Sequence, residues 1–305
     1  MPSPRNELNP KTRSGPPVDS PSQWWGEWTI APGSTGFWQI GSLQLEVSRP
    51  GLEWRVSWAI RAESVAESVV ESVQEGSTGI IVDCPSTRSP MVKPSGLARF
   101  AAPRRADAPG GAPDDDLLVV FRPRLADRQV VTRPTSPFYV LPGDTSEIFV
   151  SSPLWVSVFL RRRSSGTEDL LVDLPVQRPS DTWFGPSTTI GELLYATRTR
   201  AAREAHGVPR KAWRAMTLVQ IVNRGSDALL VERFIVPAPN LSLYQSTEGH
   251  LATDGVRLEH AYGGEFANLE ILSADAQRFY GILVTPPRQK VERNAVIRAF
   301  STMFS

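Results

Sequence analysis

The residues able to do covalent or metal chemistry in this chain are few and scattered. Three histidines, His206, His250 and His260, and a single cysteine, Cys84, stand among 305 residues. No histidine falls in an HExxH or other metal-ligand spacing, and no G-x-S-x-G leads into a helix. The run Asp114-Asp115-Asp116 lacks the alternating oxygen ligands and terminal glutamate of an EF-hand loop, so it reads as a charged loop. Glu265 and Glu270 could pair as acid and base, as could almost any two carboxylates in a β protein. Gly263-Gly264 has no strand–glycine–helix context and reads as a turn, not a phosphate loop. Cys84 precedes Pro85 with nothing nearby in sequence to lower its thiol pKa, and with scattered histidines it makes no zinc set. No cofactor and no metal are expected, and the lack of any motif argues against an enzyme. A hydrolase using His206 or His260 would need a carboxylate and a nucleophile within ~3 Å of the imidazole.

Binding chemistry has two better candidates. In the basic segment 198–214, Arg198 and Arg200 fall on one side of a strand, followed by Arg203, Arg210, Lys211 and Arg214. Only Glu204 opposes them, and Tyr195 and Trp213 are interleaved. Guanidinium forks of this kind grip phosphate or carboxylate groups on a lipid, a nucleotide or an acidic protein. The plainer reading is a solvated charged loop, which most charge runs are. Arg161-Arg162-Arg163 would join the patch if the fold brought them together.

The tryptophans are the other candidate. Six of the nine, Trp24, Trp25, Trp28, Trp38, Trp54 and Trp58, lie within 35 residues. Trp54 and Trp58 share a strand face with Val56 and Ile60, which predicts core packing. Trp24 and Trp25 are adjacent, so in a strand one must point away from the core, and an exposed aromatic is expected there. Exposed tryptophans would stack on sugar rings or on a partner's apolar anchors. That supports an alternative reading as a carbohydrate-binding module or glycan-active enzyme, against which the lack of a secretion signal weighs.

The elements that must position these groups read as β. Residues 43–48 alternate apolar and polar, Pro50-Gly51 marks a turn, and 52–61 alternate again, which predicts a hairpin with an aromatic inner face. Further short strands are expected at 79–83, 117–122, 128–133, 138–141, 147–150, 154–161 and 168–176. In 154–161 both faces are apolar, as in a central, doubly covered strand. A second β region should hold strands at 191–199, 250–262, 266–272, 277–284 and 295–300. It should also hold a hairpin of 217–223 with 228–236 around Arg224-Gly225-Ser226-Asp227. The thrice-repeated Glu-Ser-Val within 62–76 has a period of four and predicts a short helix or a low-complexity loop. Residues 84–116, studded with proline, read as a long flexible loop, and 1–21, with six prolines, as a disordered tail.

The fold expectation is therefore mainly β, as two antiparallel sandwich-like or open-barrel domains, 22–178 and 179–305. Lys+Arg 33 against Asp+Glu 32 gives a net charge of +1, no global lure for nucleic acid. The apolar runs 117–121 and 154–160 are strand-sized, far short of a membrane helix. One cysteine and no signal-like run point to a reducing, cytoplasmic location.

Several short phrases carry a resemblance. They are Trp25-Gly26-Glu27-Trp28, Trp38-Gln39-Ile40-Gly41-Ser42-Leu43, Glu53-Trp54-Arg55 and Ser152-Pro153-Leu154-Trp155. They continue with Thr197-Arg198-Thr199-Arg200, Val222-Asn223-Arg224-Gly225 and Pro239-Asn240-Leu241-Ser242-Leu243-Tyr244. Spread over most of 24–300, they make the chain resemble an archaeal and bacterial family of unknown function, number four-three-two. The resemblance implies an intracellular β-rich protein with no catalytic residues to carry over, and it points toward a membrane-protein partner. The tail, the Glu-Ser-Val repeat and the 84–116 loop look like additions to the family pattern.

The resulting expectation is a non-enzymatic binding or scaffold protein. Its contact residues would be Arg198, Arg200, Arg203, Arg210, Lys211 and Arg214, with Trp24 or Trp25. The expected partner is an anionic protein, a membrane protein included, or a membrane surface touched peripherally; nucleic acid is disfavoured.

Overall fold

A computed structural model describes residues 23–51, 53–61, 94–101, 116–185, 187–260, 266–273, 281–290 and 294–298. The expected tail, the Glu-Ser-Val helix, the strand at 79–83, Cys84 and Glu265 lie outside the described residues. The described chain is mainly β, in five sheets, with two single-turn 3₁₀ segments as its helical elements.

The first sheet is antiparallel, in the order β1 (Gly26–Trp28), β6 (Leu117–Arg124), β10 (Trp155–Arg162), β11 (Glu168–Pro175). The second is an antiparallel meander of β2 (Thr35–Ile40), β3 (Leu43–Ser48), β4 (Glu53–Ile60) and β5 (Gly96–Ala101). The expected hairpin is thus present as β3–β4, with Leu43, Leu45, Val47, Trp54 and Val56 at most 1% exposed. Strand β5 falls inside the stretch read as a loop. The flanking prolines mark its two ends, and Gly96 is required in it because a Cβ there would fall inside the Trp58 ring.

These two sheets meet through aromatic rings. Trp28 and Trp38 pack edge to face at 5.6 Å between centroids, and Trp38 meets Phe121 at 4.7 Å. Pairs of this kind contribute about 0.5–1.5 kcal/mol each beyond the area they bury. Gly41, at φ +56°, makes the β2–β3 turn, which docks so closely on Val176 and Trp213 that a Cβ would meet them at 2.9 and 3.0 Å. Ser42 Oγ donates to the Val176 carbonyl at 2.8 Å in the same contact.

The largest sheet has eight strands centred on β14 (Arg214–Asn223). One edge of β14 pairs antiparallel over nine residue pairs with β9 (Thr145–Pro153). Its other edge pairs in parallel with β18 (Leu251–Thr253) and β19 (Gly255–His260). Beyond these lie β17 (Leu243–Gln245) and β21 (Ile282–Thr285) on one side, and β20 (Phe266–Leu272) and β22 (Asn294–Arg298) on the other.

The break between β18 and β19 is Asp254, 1% exposed. Its carboxylate accepts from the Ser242 backbone N–H at 2.6 Å and from the Tyr244 hydroxyl at 3.0 Å. Burial, with the Asp254 charge beside it, pushes the Tyr244 phenol up from its ordinary range, so the tyrosine stays a donor. The family-like phrase at 239–244 therefore serves as a lock on this kink.

A fourth sheet runs β12 (Ser180–Phe184), β13 (Glu192–Thr199), β7 (Val130–Pro134), β16 (Phe234–Val236), with β13 and β7 parallel. The fifth joins β8 (Phe138–Val140) to β15 (Leu229–Val231). The hairpin expected around 224–227 is not formed. Asn223, fully buried, does build the turn, donating from Nδ2 to the Val140 and Asp227 carbonyls and accepting from the Gly225 N–H. The chain after the turn then leaves β14, because Leu229–Val231 pairs with β8 and Phe234–Val236 with β7. Strands from both sides of residue 178 share the β9–β14 and β7–β13 ladders, and one apolar cluster runs from Trp24 to Leu269.

Two stability predictions follow from the packing. Phe121→Ala empties the junction of the first two sheets and is expected to cost about 3–5 kcal/mol by denaturant unfolding. Glu46, on β3, is half-buried, and desolvation raises its carboxyl above the ordinary value. A raised folded pKa means that the protonated group fits the fold better, so its contribution is present at acid pH and lost as pH rises through the folded pKa. Glu46→Gln is expected to raise the thermal midpoint at pH 7 and to match wild type below about pH 4.

Candidate functional site

The basic segment leaves β13 and runs along the edge of β9. Thr199, 1% exposed, pins it: its Oγ1 accepts from the Ser151 N–H at 3.2 Å, and its carbonyl accepts from the Thr135 N–H at 3.0 Å. Ala202 then exchanges two backbone hydrogen bonds with Phe149, at 2.7 and 3.0 Å. The stretch is stitched to β9, so Arg198, Arg200 and Arg203 project from a fixed backbone.

The six expected contact residues separate into two groups. Arg198, Arg200 and Arg203 are exposed and have no ion-pair or hydrogen-bond partner among the described residues. Arg198 also lies directly across from Arg133 on β7, a like-charge pair. The others are engaged. Arg210 pairs with Glu248 at 2.7 Å, and Lys211 sits over the Trp213 ring at 5.6 Å. Arg214 points inward, donating from Nε to Ser151 Oγ, from Nη2 to the Ser151 carbonyl and from Nη1 to Gln177 Oε1.

Neither adjacent tryptophan is exposed. Trp24 is 1% and Trp25 8% exposed, packed edge to face at 5.5 Å. Residues 23–25 precede β1 and are not strand, so alternation does not apply, and Trp24 Nε1 turns back to donate to the Ala212 carbonyl at 2.8 Å. The exposed tryptophan is Trp183, near the tip of the β12–β13 hairpin beside Ile190 and Leu193. An apolar tip on an edge hairpin was not foreseen, since 180–184 shows no long alternation.

Arg161–Arg163 do not join the patch. The Trp213 carbonyl accepts from the Leu154 N–H, while Arg161 lies seven residues along β10, roughly 23 Å away. Arg161 and Arg163 belong instead to the outer face of the first sheet, which sequence reading missed because its members come from four separate segments. Arg161 pairs with Glu27 and Arg163 donates to Thr29 Oγ1, lining an open hollow with Glu168 and Leu118. Arg122 lies over the Phe159 ring at 5.0 Å and grips Glu168 through two hydrogen bonds of 2.6 and 2.5 Å. Arg288 lies over Trp155 at 5.5 Å, donates from Nε to the Leu125 carbonyl and grips Asp173 at 2.5 and 3.2 Å. Trp155 leans on Tyr195, itself under Arg128. Burial first, then the neighbouring Asp127, pushes the Tyr195 phenol up.

The three histidines have separate surroundings among the described residues. His206 meets Glu204 at 2.9 Å on an open surface, His250 approaches Glu248 at 3.7 Å, and His260 Nδ1 lies 3.4 Å from Asn223 Oδ1. Burial, then Arg210, lowers the His250 pKa against the opposing pull of Glu248. Among the described residues no cluster of three or more His, Cys, Asp or Glu is arranged to hold a metal. Nor is any helix among them long and apolar enough to cross a membrane.

The division of the arginines is open to a direct check. Arg214→Ala strips three hydrogen bonds from a half-buried position and is expected to cost about 1.5–3 kcal/mol in urea unfolding. Arg198→Ala, Arg200→Ala and Arg203→Ala are each expected to stay within about 0.5 kcal/mol of wild type.

No curated protein matches this chain, and no solved structure does. One family, described as protein of unknown function (DUF432), matches residues 24–304, which takes in every described strand from β1 to β22. The resemblance read from the short phrases is thereby established, and the chain belongs to that family.

Proposed function

We propose that this chain is a non-enzymatic binding or scaffold protein that engages an anionic partner through Arg198, Arg200 and Arg203. The partner is an acidic face of a protein, a membrane protein included, or anionic headgroups at a membrane surface. The observation that carries the reading is the contrast within one segment. Arg210, Lys211 and Arg214 have partners within the fold, while the other three cations stand exposed, without a partner among the described residues, and held by a stitched backbone.

Preorganisation of this kind matters because a displayed side chain on a fixed backbone loses less freedom on binding. Unsatisfied guanidinium forks then supply bidentate contacts to carboxylate or phosphate oxygens. Leu193 lies on the same strand, five residues before Arg198 and roughly 16 Å along it. An odd spacing on a regular strand turns Leu193, and Trp183 paired with it, to the face opposite Arg198.

A site in a cytoplasmic setting would work under screening, with a Debye length of about 8 Å, so contact must be close for the charges to count. Tagged protein should retain its partner from native extract, membranes included, in low-salt washes and release it in high salt. The triple variant Arg198→Ala/Arg200→Ala/Arg203→Ala is expected to lose about tenfold or more in affinity for that partner. Retention of the same partner by the triple variant, at unchanged strength and salt dependence, would overturn the proposal.

A further inference from the structure

The outer face of the first sheet is ordered in rows across three strands. In one row Arg122 on β6, Ser157 on β10 and Asp173 on β11 lie opposite one another; in the next, Arg124, Trp155 and Pro175 do. Three carboxylates of this face, Glu168, Glu27 and Asp173, are each held by an arginine, Arg122, Arg161 and Arg288 in that order. Arg124 is not among those three arginines. Arg122 is turned along the sheet to Glu168, and Arg161 holds Glu27. Asp173, the carboxylate within reach of Arg124, is gripped at both oxygens by Arg288 and also accepts from Ser157 Oγ at 2.7 Å.

Arg124 is left with no hydrogen-bond or ion-pair partner among the described residues, and its Nε is buried without an acceptor. It lies beside two other guanidinium groups. Burial and the charges of Arg288 and Arg122 pull its pKa down, with Asp173 opposing. A half-buried cation held among cations is costly unless an anion offsets it.

We propose that Arg124 anchors a phosphate-binding site on this face, with Arg288 as the second donor and the Trp155 ring alongside. Arg288 has five N–H donors, of which three are used by Leu125 and Asp173, and Arg124 has the four N–H groups of its two Nη atoms to offer, its Nε being buried. A planar carboxylate matches one guanidinium fork, as Asp173 already does. A tetrahedral phosphate has enough oxygens to accept from two differently placed forks at once. The site is separate from the Arg198–Arg203 surface and does not depend on that reading. Inorganic phosphate and a phosphomonoester headgroup share the chemistry.

The test uses the full chain carrying Arg198→Ala/Arg200→Ala/Arg203→Ala, so that the other surface contributes nothing. Inorganic phosphate, and separately vesicles containing phosphatidic acid, are titrated by calorimetry at constant ionic strength. Saturable binding of phosphate is expected, weakened at least tenfold by Arg124→Gln and less by Arg124→Lys. Binding of free phosphate alone would assign a soluble ligand, and binding of the vesicles as well would show that a headgroup reaches the site. Because Arg124→Gln removes a like charge, its thermal midpoint without phosphate is expected to be no lower than its parent's. No saturable binding of either probe, an unchanged affinity in Arg124→Gln, or equal binding of acetate would overturn the assignment.

Discussion

Strand β10 carries apolar side chains on both of its faces, so water has to be kept from both, and much of the first sheet's surroundings follows from that constraint. On one face Val156, Val158 and Leu160 enter the main cluster, where Phe121, Trp28 and Trp38 close the contact with the β2–β5 meander. On the other face Trp155 meets Tyr195 of β13, and arginines lie over the rings. Guanidinium planes add to the cover, Arg288 over Trp155 and Arg122 over Phe159. Guanidinium suits the task because it is flat, weakly hydrated and stacks on rings without surrendering its edge donors.

Covering apolar rings with cations brings a second requirement, since half-buried charges must be compensated. Glu168 and Asp173 on β11 and Glu27 on β1 meet it, and they come from the strands that flank β6 and β10. Structure and charge balance are thus one arrangement, in which pairing tracks what each arginine covers. Elsewhere the same logic separates Arg214, bound into the β9–β14 region, from Arg198, Arg200 and Arg203, which have no partner among the described residues. The proposed division of labour between holding the fold and meeting a partner follows the division between arginines that have partners among the described residues and arginines that do not.

Much of this was legible in the sequence. Alternation located β3, β4, β6, β10 and β11 within a residue or two, since a period of two is a local property of a buried face. It failed where structure is set by distant partners. Strand β5 sits among prolines and owes its place to the Trp58 ring over Gly96. The turn after Asn223 looks like a hairpin turn, yet the strands that follow it find β8 and β7. For the candidate site, the basic segment and its residues were visible, but not which of them the fold uses. Spacing showed Arg210, Lys211 and Arg214 as equals of Arg198, whereas Glu248, Trp213 and Ser151 decide otherwise from afar. The arginine–aromatic face was invisible because residues 27, 122–124, 155–173 and 288 meet only through the sheet order.

The central claim is that pairing, not sequence position, sorts these arginines. Its most direct test is the solvent exchange of arginine Nε–H protons, resolved by side-chain NMR on the free protein. Slow exchange is expected for Arg214 and Arg288, whose Nε groups donate to Ser151 and to the Leu125 carbonyl, and fast exchange for Arg198, Arg200 and Arg203. Protection of Arg198, Arg200 and Arg203 equal to that of Arg214 and Arg288 would contradict the account, because those three cations would then already be satisfied within the fold.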